Sequence, residues 1–405
     1  MLRLLIYVLL FVFLAIISSC SEQQNKNDSD EIYDYSDTER KISAISPLTM
    51  KSANSILELG IVSDESFIYR TKISRNVGSF VNHNLSEIVP KTTSIPASEA
   101  NFNPVYSNKS EIVNNPVTLV NIVFDNDIFN NTDYYYTNGI YIELITPLAT
   151  SSPLSSILVG LRNSQIDLHG FSLRQNIYTP VNPDIEEISV GDRPFSAFLT
   201  IGQFRETYNY NTKISISSSL NFGIIGPASL GGFVQSSIHN IEPVGWSNQI
   251  NNNIIIDYQV KLEKGIISTP HIEFNITAGG NVGTIFNNIN GGMYFRTGSF
   301  IPVFRGLSAM FGSSSKKSKL QYWFFVSGKM NVVFFDATLQ GSMFNSQSPY
   351  VIQSADINRF VLNLSVGFAM YYKKVGFELQ NFYLSPEFTN AYDFRWGRIK
   401  LTFQI

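Results

Sequence analysis

Cysteine is nearly missing from this chain: Cys20 is the only one in 405 residues. That excludes an intramolecular disulfide and any metal site built from several cysteines. Charge is scarce as well, at 15% of residues against roughly 25% in soluble domains. The 29 Lys+Arg and 32 Asp+Glu leave a net charge of -3, so nucleic acid is not expected as a partner. Histidine occurs four times, at His83, His169, His239 and His271. The GxSxG signature of a nucleophilic serine does not occur. The apolar run Leu4–Ile17, behind Arg3, is shorter than the roughly 18–20 residues a spanning helix needs, and it reads as an export signal. Ile17-Ser18-Ser19-Cys20 resembles a bacterial lipobox, which would make residues 1–19 a signal peptide and Cys20 a lipidated first residue. An ordinary signal peptide cleaved nearby is the alternative.

What the chain has is aromatics and alternation. Phe (31) and Tyr (20) dominate an aromatic content of 13%, while the mean hydropathy is only +0.02. This combination fits a transmembrane β-barrel, whose strands turn one apolar face to lipid and one polar face inward. A soluble β-sandwich shares the period. Residues 20–116 show no sustained period; the stretch SEQQNKNDSDEIYDYSDTER is polar and suits a disordered tether. From residue 117 to 405 the pattern changes. In NIIIDYQVKLEKG, Ile254, Ile256, Tyr258, Val260 and Leu262 alternate with Asp257, Gln259, Lys261 and Glu263. FVLNLSVGFAMYYKK, KISISSSLNF and GRIKLTFQI repeat the period of two. Strands this long need paired edges, and closure removes edges. The sequence therefore predicts an all-β, antiparallel transmembrane barrel of about twelve strands, beginning near 117, 137, 165, 195, 212, 253, 271, 290, 319, 357, 375 and 393. With both barrel termini periplasmic, odd strands run outward. GSFIPVFRGLSAMFGSSSKKSK, after the eighth strand, is long for a periplasmic turn; it folds on itself or the strand count slips.

The residues capable of chemistry gather at the outer ends. Strand one ends in Asp125-Asn126-Asp127, strand two opens with Tyr136-Thr137-Asn138-Gly139, and the loop after strand five carries His239 and Glu242. A neutral His can take a proton from water. A carboxylate can orient it. Asn, Thr or a cation can stabilise an oxyanion, and Asp and Asn oxygens suit calcium. Together these parts describe ester hydrolysis by activated water. Taken singly, each also reads as turn chemistry or a solvated histidine.

FDNDIFNNTDYYYTNGIYIEL, SLRQNIYTP, GDRPFSAFL, FGIIGPASLGGFVQSSIHNI and PVGWSNQI, in this order, resemble the lipid A 3'-O-deacylase family of outer-membrane barrels. The resemblance covers roughly residues 117–405. It implies a twelve-stranded, calcium-dependent esterase that removes the 3'-linked acyloxyacyl group of lipid A in the outer leaflet of the bacterial outer membrane, as a monomer. Carried over, the family's site matches Asn126, Asp127, Thr137, His239 and Glu242. His239 is then the base that deprotonates water. The calcium ligands fall on Asp127, Glu242 and Asn126, with Asn126 also near the oxyanion and Thr137 organising the site. The chain departs from the family pattern in three places: Tyr134 in TDYYYTNG stands where Arg is common, Ile405 stands where barrels usually end in an aromatic, and the loop after IYTP differs. Some family members carry a Lys-Arg pair after IYTP; this loop reads VNPDIEEISVGD, with Asp184, Glu186 and Glu187, which suggests a lipid A with fewer or masked phosphates. Arg193 in GDRPF reads as an interior ion-pair partner. The alternatives are an outer-membrane phospholipase, which would need a serine nucleophile, and a non-enzymatic porin or adhesin.

Overall fold

The computed structural model describes residues 118–127, 134–239, 244–305, 320–344 and 347–405. The expected signal segment, Cys20, His83 and the extension up to residue 116 lie outside them. The strands are β1 (Leu119–Asn126), β2 (Tyr135–Ile145), β3 (Ile166–Thr179), β4 (Ser196–Asn209), β5 (Ile214–Ile225), β6 (Asn253–Ser268), β7 (Ile272–Gly283), β8 (Phe286–Ser299), β9 (Gln321–Asp336), β10 (Phe360–Tyr372), β11 (Val375–Leu384) and β12 (Phe394–Gln404). Each is antiparallel to its neighbours, and β1 pairs with both β2 and β12, so the barrel closes. The twelve expected strands are all present. The largest offset is at β8, expected near 290 and starting at Phe286.

The alternation explains the wall. Along β6, Ile254 and Ile256 are 68% and 48% exposed on the outside, while Asp257 is buried facing the lumen. The same apolar outer belt continues through Ile201, Phe222, Ile276, Met293, Phe324 and Val366, all exposed. Among the described residues no helix is long and apolar enough to cross a membrane; the strands supply the apolar surface.

The lumen is packed at both ends. At the lower end, where the barrel's N- and C-terminal strands begin and finish, Leu119, Ile145, Phe204, Phe300, Trp323, Phe325 and Tyr371 form one cluster. Arg296 lies among them, bonded to Glu273 at 2.7 Å, with its guanidinium 4.0 Å from the Phe300 ring centre. Buried charge survives in such a place only when paired. The long connection after β8 does fold on itself in its described part: Val303–Arg305 is a turn of 3-10 helix whose Phe304 is buried and meets the wall where Gly265 leaves room for its ring. At the upper end Tyr135, Tyr136, Leu339, Ile352, Phe382, Phe388, Phe394 and Trp396 form a second cluster, in which the Phe382 and Trp396 rings stack at 4.6 Å. Between the clusters lies a polar cavity of about 220 Å³ lined by Arg174, Gln259, Asn281, Asn290, Lys329 and Asn331, among others.

Two connections fold back onto the outside of the wall. At the lower end, the β2–β3 connection forms 3-10 turns at Pro147–Ser151 and Pro153–Ser156. At the upper end, the β5–β6 connection forms a 3-10 turn at Pro227–Ser229, a helix α1 (Gly231–His239) and a second 3-10 turn at Val244–Asn248.

Candidate active site on the outer wall

The alternation of β1 divides its last polar residues between two faces. Asp125 turns into the lumen, where Arg398 holds it with bonds of 2.6 and 2.7 Å and the Tyr136 hydroxyl donates to it at 2.9 Å. Asn126 therefore falls on the outer face, opposite Asn138 of β2 and Gly397 of β12. Its Nδ2 donates to the Thr137 carbonyl at 3.0 Å. Asp127 follows, 3% exposed, near enough to Tyr134 to help raise that phenol above its usual pKa, an effect led by burial and then by Asp393.

Thr137 owes its position to an irregularity. The β2–β3 register slips between Tyr136 and Asn138, so Thr137 is the extra residue of a bulge, the device by which a strand re-aims one side chain. Tyr135 just before it has φ 65, a strained conformation for an aromatic residue. The result brings the Thr137 hydroxyl to 2.7 Å from the Thr179 hydroxyl. Asn138 is 5% exposed on the same outer face, and its side chain makes no hydrogen bond among the described residues.

Helix α1 lies against this face. Gly226, with φ 101, makes the turn out of β5, where any side chain would strike the backbone of Asn251 and Asn252. Gly231 then sits so close to the wall that a Cβ would fall 2.2 Å from Ala197. Ala197 and Ile177 share a cluster with Phe195, Trp246 and Val234, and Gln175 donates to the Ser229 carbonyl at 2.6 Å. Gly231 and Gln235 are buried, while Leu230 and Phe233 on the far side are 54% and 70% exposed. His239 ends the helix; its side chain, and Glu242, lie outside the described residues. The stretch after β5, read from the sequence as a loop, is thus in its described part a helix and 3-10 turns packed on the outer wall.

Of the expected site residues, Asn126, Asp127 and Thr137 come together at the ends of β1 and β2, and α1 carries His239 across the outer face of the neighbouring strands. Asn138, Thr179 and Gln175 were not anticipated as site residues. YTNG and IYTP contain two of them, but only the bulge and the register reveal that they share a face. The other described histidines are engaged elsewhere. His169 stands on the outer face near the lower end, because it keeps step with exposed Phe171 and Leu173; its Nε2 meets Asp167 at 3.1 Å. His271 contacts the Gly298 carbonyl at 2.8 Å in a lower turn. Ser236 and Ser237 both donate to the Phe233 carbonyl, at 2.9 and 2.7 Å. Arg193 is indeed interior: it pairs with Glu387, donates to Thr338 at 2.7 Å and lies 4.3 Å from the Tyr178 ring centre. Asp184, Glu186 and Glu187 are exposed on a loop joined to the α1 segment through the bond from Asn248 to the Glu186 carbonyl, 2.7 Å.

The family model described as "Outer membrane protein LpxR" matches residues 93–405. Among solved structures, LpxR from Salmonella typhimurium superposes with a TM-score of 0.56 at 21% identity, covering 71% of this chain and 100% of that one. The β domain of the Bordetella autotransporter BrkA gives 0.36 at 10% identity, covering 71% and 98%. The translocator domain of the autotransporter NalP from Neisseria meningitidis gives 0.31 at 7% identity, covering 72% and 88%. The last two likenesses are too weak to carry an argument. No curated protein matches.

Proposed function

We infer the function from one premise: the chain belongs to the LpxR family of outer-membrane proteins. We propose that it is a lipid A 3'-O-deacylase, hydrolysing the 3'-linked acyloxyacyl ester with water activated by His239. The observation that carries this reading is the placement of Asn126, Thr137 and α1 on the outer face of one end of the wall. A site facing into the lumen would be closed to a membrane lipid; this one opens sideways, where the lipid lies. The upper end then faces the cell exterior, and Leu230 and Phe233 of α1 sit at the level of the outer leaflet.

In the proposed chemistry His239 accepts a proton from water as its oxygen attacks the ester carbonyl; the tetrahedral intermediate then collapses by breaking its bond to the 3' oxygen, which takes the proton from His239 and leaves as the alcohol while the acyloxyacyl group leaves as the carboxylic acid. Asn126, oriented by its bond to the Thr137 carbonyl, presents its amide to the oxyanion. Thr179 holds the Thr137 hydroxyl in place, and Glu242 orients the base. The donors at hand fit a hard cation, since Asp127, Asn126 and Thr137 offer only oxygen, although the described residues alone contain no cluster of three His, Cys, Asp or Glu side chains. Asp127, Asn126 and Glu242 would hold calcium, which when bound supplies positive charge beside the ester carbonyl.

Two other readings lose support from specific observations. A serine phospholipase would draw on Ser236 or Ser237, but both hydroxyls are spent on a helix carbonyl. A porin would need an open lumen, yet aromatic clusters fill both ends. The test is mass spectrometry of lipid A incubated with purified protein in calcium or chelator. Calcium-dependent loss of the 3' acyloxyacyl group is expected, reduced about 10²–10⁴-fold in His239→Ala, the span of general-base catalysis. Equal turnover by His239→Ala would remove histidine from the mechanism.

A further inference from the structure

Beyond the outer-wall site, the upper end carries a second concavity. It has a volume of about 610 Å³ and is bounded by the β3–β4 loop at Val190–Gly191, the β9–β10 loop at 348–353 and Asp356, and the β11–β12 loop at 388–390. Its size falls in the range of small-molecule sites. The loops that form it are tied together. Thr389 N donates to the Asp356 carbonyl at 2.7 Å, Asn358 N to the Glu387 carbonyl at 2.9 Å, and Ile352 N to the Leu339 carbonyl at 2.8 Å. Asn358 also spans Pro386 and Phe388 through its side chain, and Gly191 N donates to the Tyr350 hydroxyl at 2.6 Å. Beneath them lies the buried pair of Arg193 and Glu387. The concavity is therefore preformed.

Its chemistry is polar, with amides, one carboxylate and one aromatic wall. Tyr350 supplies a ring, and Asp356 lies close enough to help raise its phenol pKa, after burial and Asp192. The side chains of Gln353, Asp356 and Asn390 are exposed and make no hydrogen bond among the described residues. Asn390 holds φ 65. Planar amides and a carboxylate offer paired donors and acceptors of the kind that vicinal hydroxyls need. A ring beside them offers an apolar face to the C–H side of a sugar. Among the described residues that line the concavity there is no lysine or arginine, and Asp356 is a carboxylate, which favours an uncharged ligand. The floor residue Phe388 packs on Tyr135 at 5.8 Å between ring centres, and Tyr135 is two residues before Thr137. The concavity and the outer-wall site thus share one strand end.

We propose that this concavity binds a saccharide, namely uncharged sugars of the core that extends from the lipid A headgroup in intact lipopolysaccharide. The saccharide's identity rests on the deacylase reading; the existence of a sugar site does not. The experiment uses the whole protein and the double variant Gln353→Ala/Asp356→Ala, whose side chains take no part in internal bonding. Core oligosaccharide freed from lipid A by mild acid is titrated by NMR, and 3'-deacylation kinetics are measured on lipopolysaccharide and on free lipid A. The wild type should bind the oligosaccharide and the variant should not. The variant's KM should rise about 5–10-fold on lipopolysaccharide, the scale of one or two hydrogen bonds, with lipid A kinetics unchanged. Binding without any deacylation by the wild type would sink the enzyme reading and leave the sugar site standing. Absence of oligosaccharide binding by the wild type, or an equal loss on both substrates, would overturn the proposal.

Discussion

Two segments fold back onto the outside of the barrel, one at each end, and they are held by different forces. The lower one, residues 147–161, is stapled by hydrogen bonds from the wall. Gln203 donates to the Ala149 carbonyl and to Ser155 at 2.8 and 2.9 Å. Ser218 donates to the Val159 carbonyl at 2.7 Å and Tyr258 to the Ile157 carbonyl at 2.9 Å. Arg205 donates to the Leu158 carbonyl at 3.1 Å, and Thr207 accepts from Leu161 N at 2.9 Å. The upper one is held chiefly by packing: Gly231 on Ala197, Val234 and Trp246 on Ile177 and Phe195, with one wall side chain, Gln175, bonded to its entry turn. Beside a lipid phase a polar group must find a protein partner. At the lower end the covering segment's backbone provides those partners, and the surface is finished. At the upper end the covering helix is held by apolar packing on β3 and β4, and Asn126, Thr137, Asn138 and Thr179 lie on the outer face of the neighbouring strand ends.

The comparison breaks most clearly at the two clasps. Trp246→Ala removes the ring that holds α1, a truncation that costs about 3–5 kcal/mol in a packed site. The expected outcome is loss of most deacylation, by about 10²-fold or more, while the barrel keeps its heat-modifiable migration on gels. Leu158→Ala, 2% exposed at the lower clasp, should cost about 2–5 kcal/mol of stability and leave turnover per folded molecule unchanged. If both variants lost activity alike, the two segments would not differ in role. A narrower version is Gly231→Leu. Its side chain has no space against Ala197, so α1 must lift, and activity should fall about 10-fold or more with no change in thermal unfolding.

The sequence made some of this legible and hid the rest for physical reasons. Period-two alternation is a local property, so twelve strands could be read and their starts placed to within a few residues. The interior role of Arg193 was legible too, although its partner, Glu387, was not, because the pair joins residues 194 positions apart. That the β5–β6 stretch forms a helix was not: GGFVQSSIH begins with two glycines, which disfavour helix, and tertiary packing on Ala197 and Trp246 overrides that preference. The face on which the site sits was equally hidden. It depends on whether Asn126 or Asp125 points outward, which the Arg398 pair and the bulge at Thr137 decide. Asn138 shows the consequence. It was visible only as part of a turn-like YTNG, yet it stands buried beside Asn126 on the outer face. Asn138→Ala should lower kcat about 5–10-fold, the worth of one hydrogen bond in a dry site, with no loss of stability, because the amide makes no internal bond to lose. Unchanged kinetics would return Asn138 to a structural role.

The smallest expected effect concerns the loop beside α1. Asp184, Glu186 and Glu187 are exposed, and the nearest arginine in sequence, Arg193, is buried in its pair with Glu387. The loop's field at the site flank is therefore negative and unopposed by its own cations. Exposed charges act over about 8–10 Å at physiological salt, so their effect on a phosphate at the membrane surface should be modest and sensitive to ionic strength. Replacing all three with Gln should raise kcat/KM on bis-phosphorylated lipid A about 2–5-fold at low salt, with the gain fading as salt rises. On lipid A lacking phosphates, or carrying amine-capped ones, the same variant should gain nothing, and with capped phosphates it should lose, because the carboxylates then face ammonium groups. A salt-independent gain on every substrate would mean that the loop acts through its contacts with Gly245 and Asn248 instead of through its charge.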